Sequence, residues 1–233
     1  MNKIITITAL IFAAILAMGL YAKSNKPPVE PIDVTKVLEI AGDDHVSGNP
    51  DSDVVLVEYL DLQCPACGAF HPIMDEVKAA NKDIAIVTRH FPLYFHQNAR
   101  AAGHALEAAA QQGKFEEMTT MMFNGQQLWS GLGAGGADDV FVSYATELAL
   151  DMDAFNTYRN SDEARAKVTR DYDGGVAAGV NSTPTFLLQG RKIRASSPAE
   201  FQQLIDAAKA EAATVSPESV VEESTTSTTT EEL

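Results

Sequence analysis

The chain of 233 residues carries two cysteines, and they stand three positions apart in Cys64-Pro65-Ala66-Cys67. This pair limits the possible folds more than any other feature. Two cysteines so close cannot form the disulfide framework that staples a small secreted domain. The chain must hold together by burying a core, which its length and its 45% hydrophobic content allow. The pair then does chemistry, supplies half of a metal site, or closes a small inert bridge.

The local pattern around the pair is strand, helix, strand. Residues 53–60 form a Val- and Leu-rich run interrupted by Glu58, the signal of a buried strand. A helix is expected to open at Cys64 and reach about residue 80, with Pro65 in the first turn where its missing N–H costs nothing. Residues 84–90 read as a second strand. Helices are expected over residues 97–112, 114–123, 138–150 and 161–178. Residues 185–188 and 191–195, joined at Gln189-Gly190, read as a hairpin, and Ser197-Pro198-Ala199-Glu200 is a capping box that starts the last helix. This order predicts an α/β thioredoxin-like fold, a central mixed sheet flanked by helices, with a helical subdomain inserted. The sheet domain is assigned to residues 51–96 and 176–213 and the insertion to 97–175. Residues 23–50 read as a spacer with a possible short first strand, and the Ser/Thr/Glu-rich residues 214–233 as a disordered acidic tail.

A Cys-x-x-Cys at a helix start sets its first sulfur beside unpaired backbone N–H groups and the positive end of the helix dipole. Both favour thiolate, and such motifs hold pKa values from ~3.5 to ~7 against ~8.5 for free cysteine. Cys64 is therefore the candidate attacking sulfur, and Cys67, one turn further in, the candidate resolving sulfur. A zinc site needs four ligands, and the nearest further candidate is His71, which reads as an exposed helix residue. Glu58, six residues before Cys64, is an acid in an apolar strand, so burial should raise its pKa and fit it to exchange a proton with the resolving thiol. Thr183-Pro184 precedes a strand, where a cis peptide is accessible.

Several segments resemble the DsbA family of thioredoxin-like proteins. They are Gly48-Asn49-Pro50 through Glu58-Tyr59-Leu60-Asp61-Leu62-Gln63 to the cysteine pair, Arg89-His90-Phe91-Pro92-Leu93, Asn98-Ala99-Arg100, Gln112-Gly113-Lys114-Phe115, and Gly179-Val180-Asn181-Ser182-Thr183-Pro184. The resemblance covers about residues 35–210. It implies a redox-active disulfide between Cys64 and Cys67 with no further cofactor and no metal, supported by Pro65, Ala66, the buried acid Glu58, Thr183 and a cis-Pro at Pro184. It also implies donation of disulfides to reduced, unfolded exported proteins, with reoxidation by a quinone-linked membrane partner. At Ala66 the best-known oxidases of the family carry His, and at Thr183 the best-studied one carries Val, so a weaker oxidant is expected. A reductase or isomerase on the same fold is the alternative, and a non-catalytic binding or chaperone module is a third. Isomerases of this type add a dimerisation domain, for which residues 23–50 are too short, so a monomer is expected.

Residues 4–22 run nineteen positions without a charge, long for a signal peptide and just long enough for a membrane anchor. Either reading of residues 1–22 places the rest of the chain outside the cytoplasm, in the periplasm or at the outer face of the membrane, where disulfides persist. The formal net charge is −15, six of the acids falling after residue 210, which excludes a nucleic-acid partner held by phosphate contacts. Two motifs carry no function in this reading. Gly131-Leu132-Gly133-Ala134-Gly135-Gly136 reads as a flexible interhelical loop, and Met118, Met121 and Met122 as core packing of the insertion.

Overall fold

The computed structural model describes residues 37–215. The expected leader or anchor of residues 1–22 and the tail beyond residue 215 lie outside them. Five strands form one mixed sheet: β1 (His45–Gly48), β2 (Val55–Leu60), β3 (Ala85–His90), β4 (Thr185–Leu188) and β5 (Arg191–Ile193), in the order β1-β3-β2-β4-β5. Only β2 and β3 run parallel; the other neighbours are antiparallel. Every residue of β2 and of β3 is buried. That is why β2 reads as an apolar run broken only by Glu58, whereas β3 buries Thr88, Arg89 and His90 as well as its apolar residues.

Eight helices complete the described chain: α1 (Pro65–Ala80), α2 (Ala99–Ala110), α3 (Phe115–Asn124), α4 (Gln126–Trp129), α5 (Ala134–Glu147), α6 (Met152–Arg159), α7 (Asp162–Ala177) and α8 (Pro198–Val215). Among the described residues no helix is long and apolar enough to cross a membrane. The two-residue period of β2 sends Leu56, Glu58 and Leu60 to one face and Val55, Val57 and Tyr59 to the other. Leu56 joins Met74 and Val77 of α1 and Phe201 and Ile205 of α8, whereas Val57 and Tyr59 pack with Val87, Phe91 and Val180. Glu58 thus faces the cysteine helix because its register, not its polarity, sends it there.

The helical insertion has its own core of Leu106, Met118, Met122, Trp129, Phe141 and Phe155, all fully buried. The core also takes in Leu60, Leu62, Cys64 and Cys67, so the insertion packs directly onto the start of α1. Small side chains at Ala102, Ala105, Ala108 and Ala109 let α2 sit at the centre of this layer. Met118 and Met122 are core residues, as expected, whereas Met121 is half-buried and lies outside this core.

The possible short first strand within residues 23–50 is edge strand β1, and the segment before it is bonded down by Arg89, whose guanidinium donates to the carbonyls of Val37 (2.9 Å) and Glu39 (2.6 Å) and to Asp44 (2.7 Å). Three local expectations differ from the structure. The glycine-rich stretch is not wholly a loop: Gly133 is the N-cap of α5 and Ala134-Gly135-Gly136 its first turn. Helix α6 had no counterpart in the sequence reading; it is opened by Asp151, whose carboxylate accepts from the N–H groups of Asp153 and Ala154. His71 is buried, not exposed, with its ring against Phe123 and its Nε2 3.2 Å from Thr120 Oγ1.

Candidate redox site

Cys64 is the N-cap residue of α1, in extended conformation, and Pro65 follows as the first helical residue. An N-cap side chain faces the free N–H groups of the first turn. The Cys64 thiol is lowered to about 5. The largest cause is a hydrogen bond from the Cys67 side chain. Partial burial opposes it, and the Thr183 side chain and the backbone N–H groups of Cys67 and Ala66 add to it. Pro65 and Ala66 themselves are exposed, whereas Cys64 is 7% exposed.

Cys67 behaves in the opposite way. It is 1% exposed, and burial, followed by the hydrogen bond and charge of Cys64, pushes its thiol well above the ordinary value. The backbone N–H of Asp61 lies 3.5 Å from its sulfur and lowers it in part. Both thiols are free in this structure. Glu58 lies behind the pair, 4% exposed, with no hydrogen-bond partner for its carboxyl among the described residues. Burial raises it to about 7; Lys78 offsets part of that, while Glu116 and Asp75 add to it. The Glu58 charge adds a smaller upward push on Cys67.

The loop before β4 closes the site from the other side. The Thr183-Pro184 peptide is cis, and the Thr183 carbonyl oxygen lies 3.5 Å from Cys64 Sγ. The Thr183 hydroxyl is buried without a hydrogen-bond partner, and the Thr183 side chain is among the groups that lower Cys64. Glu58, Cys64, Cys67, Thr183 and Pro184 are therefore brought together by three separate segments of chain.

Further residues at the site were given no role by the linear pattern. Gln126, from the short helix α4, donates from Nε2 to the carbonyls of Leu62 (2.7 Å) and Cys64 (3.0 Å), and Gly68 leaves room for its amide. Gln63 bridges to the Asn98 N–H (2.7 Å) and to the Ser130 carbonyl (2.8 Å). Asp61, buried, accepts from the N–H groups of Gln63 (2.7 Å) and Leu93 (2.8 Å), and its other side-chain partner is His96 Nδ1 at 2.8 Å. The segments tied down in this way carry Tyr94, Phe95 and Leu128, each more than 60% exposed. A long-range partner cannot be read from one residue's neighbours in sequence, although the proximity of Asp61 and Gln63 to Cys64 was visible.

The thioredoxin family model matches residues 41–207. The Na(+)/H(+) antiporter NhaA of Herminiimonas arsenicoxydans is 34% identical over 172 residues, covering 73% of this chain and 25% of the antiporter. The chain thus spans about a quarter of the length of the curated relatives it matches. Among solved structures, α-DsbA1 of Wolbachia pipientis has a TM-score of 0.68 at 21% identity, covering 78% of this chain and 98% of that one. A thioredoxin-like oxidoreductase from Silicibacter pomeroyi has a TM-score of 0.63 at 23% identity, covering 77% and 98%. These likenesses show the fold.

Proposed function

The chain belongs to the thioredoxin family, and on that premise we propose that it is a thiol:disulfide oxidoreductase that introduces disulfides into exported proteins through Cys64 and Cys67. The observation that carries this reading is the opposite displacement of the two thiols, Cys64 lowered to about 5 and Cys67 raised. A pair whose reduced form is stabilised as a thiolate gives up its disulfide readily, which is what a donor of disulfides requires.

In the oxidised protein, a substrate thiolate attacks the Cys64 sulfur. The Cys64–Cys67 bond breaks, and Cys67 leaves with the electron pair and takes up a proton, because its high pKa keeps it neutral. Glu58, with a pKa of about 7, is suited to deliver that proton. A second substrate thiolate then attacks the substrate sulfur of the mixed disulfide and expels Cys64 as a low-pKa thiolate, a good leaving group. The substrate has lost two electrons and the pair has gained them. Restoring the pair requires an oxidant, for which a quinone-linked membrane partner is the natural class. The exposed Tyr94, Phe95 and Leu128 suit contact with apolar segments of unfolded chains. The setting is extracytoplasmic, where such disulfides persist. Antiport, the activity named for the curated relatives, is not carried over, because the chain matches about a quarter of their length.

Equilibration of the pair with glutathione tests the direction of exchange. A potential between about −120 and −200 mV supports disulfide donation, and one near about −270 mV replaces it with a reductase. Transfer of a disulfide to a reduced, unfolded protein should disappear in Cys64→Ser; transfer that survives the change removes the enzyme reading altogether.

A further inference from the structure

Away from the cysteines, the sheet register gathers two imidazoles and a carboxylate. His45 on β1 pairs with Thr88 of β3, and His90, two residues further along β3, projects to the same face. Glu107 on α2 covers that face. Its Oε1 lies 2.7 Å from His45 Nε2 and 2.7 Å from His90 Nε2. The three candidate donor atoms lie within 4.8 Å of one another, the one such group of His, Cys, Asp or Glu among the described residues.

The surroundings hold the three side chains in place, and the only ion-pair partners of the carboxylate among the described residues are the two imidazoles. Glu107 is 2% exposed, and no Lys or Arg forms an ion pair with it among the described residues. The His45 ring stacks on Phe115, with centroids 3.7 Å apart and planes inclined by 19°. His90 lies against Gly103, where an added Cβ would stand 3.3 Å from Nδ1. The His45 side chain is 17% exposed, which gives the cluster one wet edge. A buried carboxylate with no fixed cation is costly unless something positive joins it.

We propose that His45, His90 and Glu107 bind a divalent transition-metal ion of the zinc type, with the fourth position at the exposed edge of His45 open to water. Two imidazole nitrogens and one carboxylate oxygen are the donors such an ion prefers, whereas Mg2+ and Ca2+ take oxygen ligands. Tetrahedral zinc with bonds of about 2.0–2.1 Å sets its donors about 3.3 Å apart, so each His–Glu pair opens by roughly half an ångström to admit it. The ion would join edge strand β1 to β3 and to α2 of the insertion, and would hold the native state as any ligand that prefers it does. The site is independent of the proposed redox activity and uses neither cysteine.

Cobalt(II) reports the site directly. The full chain is first oxidised, so that Cys64 and Cys67 cannot ligate, then stripped with chelator and titrated. One cobalt per chain with the visible bands of tetrahedral coordination, displaced by zinc, is expected, together with a zinc-dependent rise in the unfolding midpoint. His45→Ala, at a partly exposed edge position, should weaken binding by more than the ~10–100-fold that loss of an outer-shell partner costs, and Glu107→Gln likewise. His104→Ala, on α2 outside the cluster, should leave binding unchanged. Absence of bands and of any midpoint shift in the parent chain overturns the proposal and leaves the cluster as a hydrogen-bonded clasp. Binding that persists undiminished in the folded His45→Ala protein overturns it as well.

Discussion

Cys64 and Cys67 are the same chemical group, and position alone separates them. Cys64 at the helix cap sits among donors and is lowered to about 5; Cys67 is buried and raised. Alkylation tracks the thiolate. The rate at Cys64 in the reduced protein should therefore stay near its plateau at neutral pH and fall to half of it near pH 5. A rate that already declines below the ordinary thiol range, about 8.5, removes the asymmetry on which the redox reading depends. Glu58 tests the other half. Its folded-state pKa of about 7 lies above the ordinary carboxylate value, so the stability linked to it is complete below that value and is lost as pH rises through about 7. Glu58→Gln should equal the parent in urea stability near pH 4 and exceed it near about pH 8. It should also slow the step in which Cys67 resolves a mixed disulfide, on the order of 100-fold, the lower end of what a positioned proton donor supplies. Unchanged single-turnover kinetics in a folded Glu58→Gln protein would leave Glu58 without a catalytic part.

At the scale of elements, the insertion holds the cysteine loop as well as covering it. Gln126 on α4 supplies both of its amide hydrogens to the carbonyls of Leu62 and Cys64, on either side of Gln63. Gln126→Ala leaves those carbonyls short of a donor in a buried place, at a cost of about 1–3 kcal/mol. Urea unfolding of the variant should show that loss, and proteolysis should nick the loop around residue 63 more readily. A stability within experimental scatter of the parent would mean that the loop is held from the Asp61 side alone. The Asp61 side is substantial: one carboxylate gathers the N–H groups of Gln63 and Leu93 and the ring of His96. Elsewhere the elements start where side-chain caps allow. Asp151 opens α6, Ser161 opens α7, and at α8 the Ser197 hydroxyl accepts from the Glu200 N–H while Glu200 reaches back to the Ser196 N–H.

For the whole molecule, the redox state and stability are linked through Cys64. A thiol whose folded-state pKa is depressed stabilises the native state most fully above its ordinary pKa, and that contribution is lost as pH falls through about 5. Glu58 is present in both redox forms, so comparing the two forms isolates the thiol to first order. The stability of the reduced protein minus that of the oxidised protein should therefore rise as pH increases from about 5 to about 8. Denaturant midpoints of the two forms across that interval measure it directly, and a flat difference would contradict the low Cys64 pKa.

The linear chain determined the local elements and singled out the candidate cysteine pair, because both depend on near neighbours. The two buried strands, the proline-started helix at Cys64 and the capping box at residue 197 follow from spacing and backbone chemistry within a few residues. The resemblance of the quoted segments to DsbA-type chains supplied the connection to Pro184. What lay beyond reach depended on contacts across the fold. The Ser-free, glycine-rich start of α5 gave no cap signal, and α6 was short. His71 was misplaced because its burial comes from α3 packing over α1. The bonds from Gln126 to the cysteine loop and the meeting of His45, His90 and Glu107 span 17 to 64 residues of chain. Such meetings are set by sheet register and helix packing, so only the tertiary structure decided them.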